Sequence, residues 1–204
     1  MDRRTFIIAG AGHAGVQAAA TLRGKGFEGR IVLLEAEDEL PYQRPPLSKD
    51  FLAPQAMSEI LRLRSADFYV KKGIELLGGR QLLSIDAGRR TVATQHESLD
   101  YDRLLLALGS SLRRIDAIAP ETPGVFYLKT LGDAARLRER IVPGARVAII
   151  GAGYIGLEIA AAARKRGADV VVVEAATRAM SRVTSAPVSD FYAAAHRAAG
   201  GRLR

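Results

Sequence analysis

Two glycine-rich turns carry the residues whose types and spacing could do chemistry. The first, GAGHAG at 10–15, follows the apolar run FIIA at 6–9 and opens an alanine-rich stretch to Arg23; the second, GAGYIG at 151–156, follows VAII at 147–150. Gly10 permits a tight turn, Gly12 removes the side chain that would block a pyrophosphate, and Gly15 lets the following helix lie close on the strand. Gly151, Gly153 and Gly156 repeat the design. A helix opened this way points free N–H groups and the positive end of its dipole at phosphate. Each copy then closes on an acid: Glu35, 25 residues after Gly10, ends the run IVLL, and Glu174, 23 residues after Gly151, ends VVVV. A carboxylate at such a strand tip can accept hydrogen bonds from both hydroxyls of a ribose, so the pattern suits an adenosine diphosphate moiety. A lone GxGxxG is weak evidence, because many strand-helix units need glycine for steric reasons. Two copies, each with a strand before, a helix after and a terminal acid, are far more specific.

The elements that must position these turns read as an α/β chain of two Rossmann-like βαβ units. The second turn should open a helix from about 155 to 166, stopped by Gly167. Between the units, 65–72 reads as a helix ended by Gly73, and 74–77, 81–86, 91–94 and 104–108 read as strands. Of these, 81–86 and 91–94 form an antiparallel insert and 104–108 returns to the main sheet. The segment 110–124, with Pro120 and Pro123, looks like a crossing between domains, which gives domains of 1–112 and 113–204. Beyond it, 126–130 is expected as a strand and Asp133 as the N-cap of a helix over 134–141. Ser185 and Pro187 can open a helix to about 199, Gly200 and Gly201 stop it, and 202–204 begins a further strand.

Composition narrows the functions. The chain has 204 residues, 48% of them hydrophobic, enough to bury a real core. It has no cysteine. That removes disulfides, Cys-ligated zinc, iron–sulfur ligation and a catalytic thiol pair, so any electrons it handles need an organic cofactor. His13 lies in the first turn, and His96 and His196 stand alone in polar surroundings, so metal binding is not expected. There is no GxSxG elbow. The formal charge is +8, yet Lys and Arg are scattered without aromatic interleaving, which argues against nucleic acid. A basic surface suits an acidic docking partner; an arginine-rich proteome would produce the same excess. Arg3-Arg4 before an apolar stretch superficially imitates an export signal, but three glycines break it, and no apolar run approaches the length of a membrane span. A cytoplasmic location is the default expectation.

A stiff loop, LPYQRPPLSKD at 40–50, puts Arg44 and Lys49 near the strand tips, where open α/β sheets bind ligands. With "YQRPPLSK" lying between the first glycine turn and "GAGYIGLE", and with "YDRLLLALGS", "FYLKTLGDA" and "RVTSAPVSDFY" in order, nearly the whole chain resembles the FAD-dependent, NADH-dependent ferredoxin and rubredoxin reductases that feed electrons to oxygenases. The resemblance implies FAD and NAD as cofactors and a small acidic iron–sulfur carrier as partner, with no role for nucleic acid or membrane. The first unit would hold FAD through Gly10, Gly12, Ala14, Gly15 and Glu35, with Leu82 lending backbone contacts at the adenine end. Ala107-Leu108-Gly109 stands where the family usually has Ala-Thr-Gly, closing the flavin domain on its cofactor; leucine loses the hydroxyl and keeps the backbone. Lys129 stands where an arginine usually contacts FAD and keeps the charge without the fork of donors. The second unit would hold NAD through Gly151, Gly153, Tyr154, Ile155, Gly156 and Glu174. Glu174 favours NADH, since a carboxylate repels a 2′-phosphate, although Arg178 follows closely. Arg44 and Lys49 would stand beside the flavin, and Lys49 and Glu158 are the candidate catalytic pair, a cation that stabilises charge on the reduced flavin and a carboxylate near the nicotinamide. A solvent-facing helix carboxylate and a solvated basic loop are the plain alternatives.

Relatives of this kind would continue past 204 with the rest of the NAD unit, a second FAD segment and a C-terminal interface domain. Two readings therefore stand: an NADH-dependent flavoprotein reductase, and a truncated product that binds nucleotide without turning over. A disulfide-reductase relative is a third, but without cysteine it lacks the redox disulfide.

Overall fold

Strands buried on both faces need continuous apolar runs, and the stretches before and after the first glycine turn supply them. The computed structural model describes residues 2–119 and 121–204; Pro120, expected in the crossing between domains, lies outside the described residues. One compact unit takes the chain up to Gln43 and again Glu59–Arg113, and the other takes Arg44–Ser58 and Arg114–Arg204.

In the first unit β1 (Thr5–Ala9), β2 (Arg30–Leu34), β3 (Ile74–Leu77) and β7 (Arg103–Leu106) form a parallel sheet in the order β3-β2-β1-β7. Ile7 stands opposite Val32 on one side and Leu104 on the other. Successive side chains point to opposite faces. Ile8, Ile31 and Leu33 pack with Val16 and Ala19 of α1 (His13–Gly24) and Tyr69 of α2 (Ala66–Lys71). Ile7, Ala9, Val32 and Leu34 pack with Val92 and Leu99 of an antiparallel sheet made by β4 (Leu82–Asp86), β5 (Thr91–Thr94) and β6 (Ser98–Asp100). The insert therefore has a third strand, β6, that the sequence reading did not include, and β7 ends at Leu106 rather than 108.

In the second unit β8 (Arg146–Ile150), β9 (Asp169–Val173) and β10 (Arg202–Leu203) form a parallel sheet in the order β10-β9-β8. Its helices are α3 (Leu131–Arg140), α4 (Tyr154–Lys165) and α5 (Ala186–Ala198). Leu157, Ala160 and Ala163, three residues apart on one face of α4, meet Val170 and Val172 of β9, and Leu137, Ile141 and Leu52 close the same core. Leu52 explains why 44–58 joins this unit, where a single cut after residue 112 would leave it out. Two 3-10 turns, Pro45–Ser48 and Asp50–Leu52, pack on α3 and α4, and the Arg138 guanidinium lies 4.7 Å from the Phe51 ring centroid.

The start of α3 corrects two expectations. Thr130, not Asp133, is the N-cap: its hydroxyl accepts the Asp133 N–H at 3.1 Å while the Asp133 carboxylate accepts the Thr130 N–H at 2.8 Å, a capping box. Asp133 also accepts the Lys129 N–H at 3.0 Å. With these amides turned to the helix, and no described strand beside it, 126–130 forms no strand.

Candidate functional site

Both glycine turns have the geometry a phosphate cradle needs. Gly10 and Gly151 each have φ +101°, a conformation that side chains with a Cβ rarely adopt. A Cβ on Gly15 would strike the carbonyl oxygen of Gly10, and one on Gly156 that of Gly151, so the third glycine of each motif sets the close approach of helix and strand. Over Gly12 and Gly153 nothing lies within 4 Å, which is the space a pyrophosphate would take. These two glycines are the N-caps of α1 and α4 and supply no side-chain acceptor, so the first-turn amides have no side-chain cap. Ala14 lies in the first turn of α1, and Tyr154 and Ile155, both exposed, in the first turn of α4. A dinucleotide's phosphates fit this arrangement in both units.

The two strand-tip acids brace the glycine turns, Glu35 buried and Glu174 half-buried. Glu35 Oε2 accepts the Ala11 N–H at 3.1 Å and Oε1 accepts the Ala36 N–H at 2.9 Å. Glu174 Oε2 accepts the Ala152 N–H at 2.7 Å and Oε1 the Ala176 N–H at 2.9 Å. Hydrogen bonds from the backbone N–H groups of Ala176 and then Ala152 hold the Glu174 carboxyl below the usual carboxylate range, so it is charged at neutral pH. Each carboxylate has about four acceptor sites, which leaves room for ribose hydroxyls. Neither bridge between strand tip and glycine turn was visible in the spacing.

The remaining first-unit candidates sit around the same sheet. The Ala107 N–H donates to the Ala9 carbonyl at 2.8 Å, and a Cβ on Gly10 would strike the Ala107 carbonyl oxygen. Gly109 follows with φ +70°. Leu82 begins β4 and packs against the Ile7 and Leu34 face.

In the second unit the structure brings the candidate catalytic pair together. Lys49, between the two 3-10 turns, has its Nζ 3.2 Å from Glu158 Oε1. Ser48, buried, donates its hydroxyl hydrogen bond to Glu158 Oε2 at 2.5 Å. Glu158 is thus held on both oxygens and is not a free surface acid. Ser48 was missed because its neighbour in the site lies 110 residues away and nothing in the spacing turns its side chain toward α4. Arg44 Nη1 donates to the Lys129 carbonyl at 2.8 Å, so these two candidates also meet, through the backbone of one of them. Among the described residues no group of three His, Asp or Glu side chains could hold a metal ion, and no helix is long and apolar enough to cross a membrane.

A sequence model of the pyridine nucleotide-disulphide oxidoreductase family matches residues 4–204. The chain belongs to that family. It is a member without cysteine, so the redox disulfide of the family's name has no counterpart in it. The chain is 41% identical over 201 residues to rhodocoxin reductase of Rhodococcus erythropolis, covering 98% of itself and 47% of that protein. It is 43% identical over 196 residues to rubredoxin-NAD(+) reductase of Pseudomonas putida, covering 96% and 51%. Its fold matches the crystal structure of the covalent putidaredoxin reductase–putidaredoxin complex with a TM-score of 0.96 and 40% identity, covering 100% of this chain and 50% of that one. The ferredoxin and rubredoxin reductase resemblance read from the motifs therefore holds. The chain spans about half the length of the curated relatives it matches.

Proposed function

We propose that this chain belongs to a flavoprotein reductase that passes electrons from NADH through FAD to a small acidic ferredoxin- or rubredoxin-type carrier of an oxygenase system. The observation that carries the reading is the pair of matched cradles, each with open space over its middle glycine and a carboxylate fixed at the strand tip. The first unit is assigned to FAD through Gly10, Gly12, Ala14, Gly15, Glu35, Leu82, Ala107 and Gly109. The second is assigned to NAD through Gly151, Gly153, Tyr154, Ile155, Gly156 and Glu174. Arg44, Lys49 and Lys129 are assigned to the flavin and Glu158 to the nicotinamide.

Bound FAD would supply the exchange between two-electron and one-electron transfer, and bound NADH the electron pair. The chain's own part is to bind, orient and compensate charge. Helix termini neutralise the phosphates. The Lys49 ammonium, oriented by Glu158, is poised to offset negative charge that builds up on reduction, and Ser48 keeps Glu158 turned toward it. The charged Glu174 favours NADH over NADPH, because a carboxylate repels a 2′-phosphate. A docking surface for an acidic carrier is supported by the net charge of +8 and by relatives named for rubredoxin and putidaredoxin. A cytoplasmic setting belongs to the same reading.

A second reading, nucleotide binding without turnover, is favoured by the uncovered face of the sheet at β8, where Ile150 is 64% exposed. Purifying the chain decides between them. A yellow protein that NADH bleaches upholds the reductase reading; a folded protein that binds NADH, stays colourless with added FAD and reduces no carrier sinks it.

A further inference from the structure

The segment that carries Lys49 has little structure of its own. From 45 to 56 the backbone makes only 3-10 turns and bends. The Leu52 N–H donates to the Lys49 carbonyl at 3.0 Å, the Ala53 N–H to Asp50 at 3.0 Å and the Ala56 N–H to Ala53 at 3.2 Å. Isolated turns of this kind have poor hydrogen-bond geometry and are marginal alone. Two guanidinium groups end the series. Arg166 Nη1, at the C-terminal end of α4, donates to the Leu52 carbonyl at 2.5 Å, and Arg138 Nη1, in the last turn of α3, to the Ala56 carbonyl at 2.9 Å. Two runs of donor to carbonyl result, one from Arg166 through Leu52 to Lys49 and one from Arg138 through Ala56 and Ala53 to Asp50. Hydrogen bonds in series polarise one another. Both arginines are half-buried, and among the described residues no carboxylate lies within ion-pair distance of either. Burial, and then the charge of Arg138, lower the basicity of Arg166, so two cations repel each other over one short segment. A cavity of about 520 Å³ lies where Ala161 and Ala162 of α4 leave space against Ala53 and Pro54. The polar contacts that join segment and helix are at Glu158, which meets Ser48 and Lys49, and at Arg166, about two turns on.

Given that Lys49 serves the flavin, we propose that Arg166 and Arg138 are its positioning residues, which keep the Lys49 ammonium at Glu158 by closing these two runs of hydrogen bonds. Burial of Phe51 and Leu52 anchors the segment but has no direction; a donor on the Leu52 carbonyl also sets the orientation of the turn that begins at Lys49. Without Arg166 that carbonyl turns to water, the turn loosens, and the ammonium exchanges between Glu158 and solvent.

The test takes two measurements on the whole chain. The first is the rate at which acetic anhydride labels Lys49, followed by mass spectrometry against the exposed Lys25 of the same molecule. In the native chain Lys49 is expected to react up to about fivefold more slowly than Lys25, the scale of a solvent-screened ion pair. Arg166→Ala is expected to remove most of that protection, Arg138→Ala less of it, and Arg166→Lys, which still offers one donor, to keep it. The second is the rate at which NADH bleaches bound FAD. Arg166→Ala should slow it without raising the NADH concentration needed for half the maximal rate, and Lys49→Met combined with Arg166→Ala should be no slower than Lys49→Met alone. A native Lys49 that is labelled as fast as Lys25, protection that survives Arg166→Ala, bleaching that Arg166→Ala leaves unaltered, or losses that add in the double variant each overturn the proposal. The last would make Arg166 a structural tie. Should Arg166→Ala fail to fold, Arg138→Ala decides by the same two measurements. A native chain that takes up no FAD sinks the reductase reading instead, a different failure, and labelling still decides whether the arginines hold Lys49.

Discussion

The two nucleotide units repeat one pattern of residues and give equivalent positions different surroundings. Leu34 and Val173 both end the strand before the terminal acid, yet Leu34 is 1% exposed and Val173 45%. Gly10 and Gly151 share φ +101°, yet a Cβ at Gly10 would meet the Ala107 carbonyl and one at Gly151 would meet nothing within 4 Å. The cause is the same in both cases. In the first unit β7 pairs with β1 and the antiparallel sheet covers the far face, whereas in the second β8 is an edge and the sheet is packed on one face. A βαβ device specifies its own turn and helix; the layers around it decide how much each residue stabilises the fold.

The largest effect expected from this contrast is at the first glycines. Gly10→Ala combines backbone strain with a collision against a backbone carbonyl that has no room to retreat, and should cost about 3–5 kcal/mol. Gly151→Ala carries the strain alone, about 1–3 kcal/mol. Native-state hydrogen exchange read separately in β1 and β8 measures both; equal losses would mean that β7 does not confine the turn. Next in size is the matched pair at the strand ends. Leu34→Ala removes a fully packed side chain and should cost about 2–5 kcal/mol, while Val173→Ala should cost under about 1 kcal/mol. A large loss at Val173 would show that its face is covered in solution.

How much of this was legible in the sequence follows the same division. Within a βαβ unit the signals are local: the turns, the apolar runs and Gly167 placed the strand and helix ends to within a residue or two. Signals that depend on a neighbour were not. The strand β6 has only three residues and one buried side chain, Leu99, too little to show alternation. The expected strand at 126–130 has suitable residues but spends its amides on the capping box, and Asp133 looked like an N-cap because either member of that box can be read as the cap. Lys49 and Glu158 were legible through family resemblance; Ser48, which orients Glu158, was not, because only packing brings it there.

A smaller effect separates the helices whose first turns have no side-chain cap from one that satisfies its own. The first turns of α1 and α4 have no side-chain acceptor, and that of α3 is closed by Thr130. Thr130→Ala should therefore cost about 1 kcal/mol in denaturant unfolding, while Gly153→Ser, which adds a competing acceptor at the N-cap, should leave stability unchanged or raise it slightly and weaken nucleotide binding. If Gly153→Ser binds adenine nucleotides as tightly as the native chain, the turn of α4 is not a phosphate cradle.

The smallest expected change in stability is at the Lys49–Glu158 pair, and its smallness is what makes it informative. Lys49 is about half exposed and Glu158 more than a quarter, so solvent screens their attraction and the pair should contribute under about 1 kcal/mol. Lys49→Met keeps most of the stem that packs beside the 3-10 turns and removes only the charge. It should therefore leave the unfolding midpoint almost unchanged. Ser48→Ala is a different case, since it empties a buried hydrogen bond and should cost about 1 kcal/mol more. A pair expected to contribute so little to folding, yet held by a buried hydroxyl, is what the proposed charge-compensating role asks for. If Lys49→Met shifts the midpoint as much as Ser48→Ala does, and leaves the rate of flavin reduction by NADH unaltered, the pair is a structural tie and the charge-compensating role assigned to Lys49 is wrong.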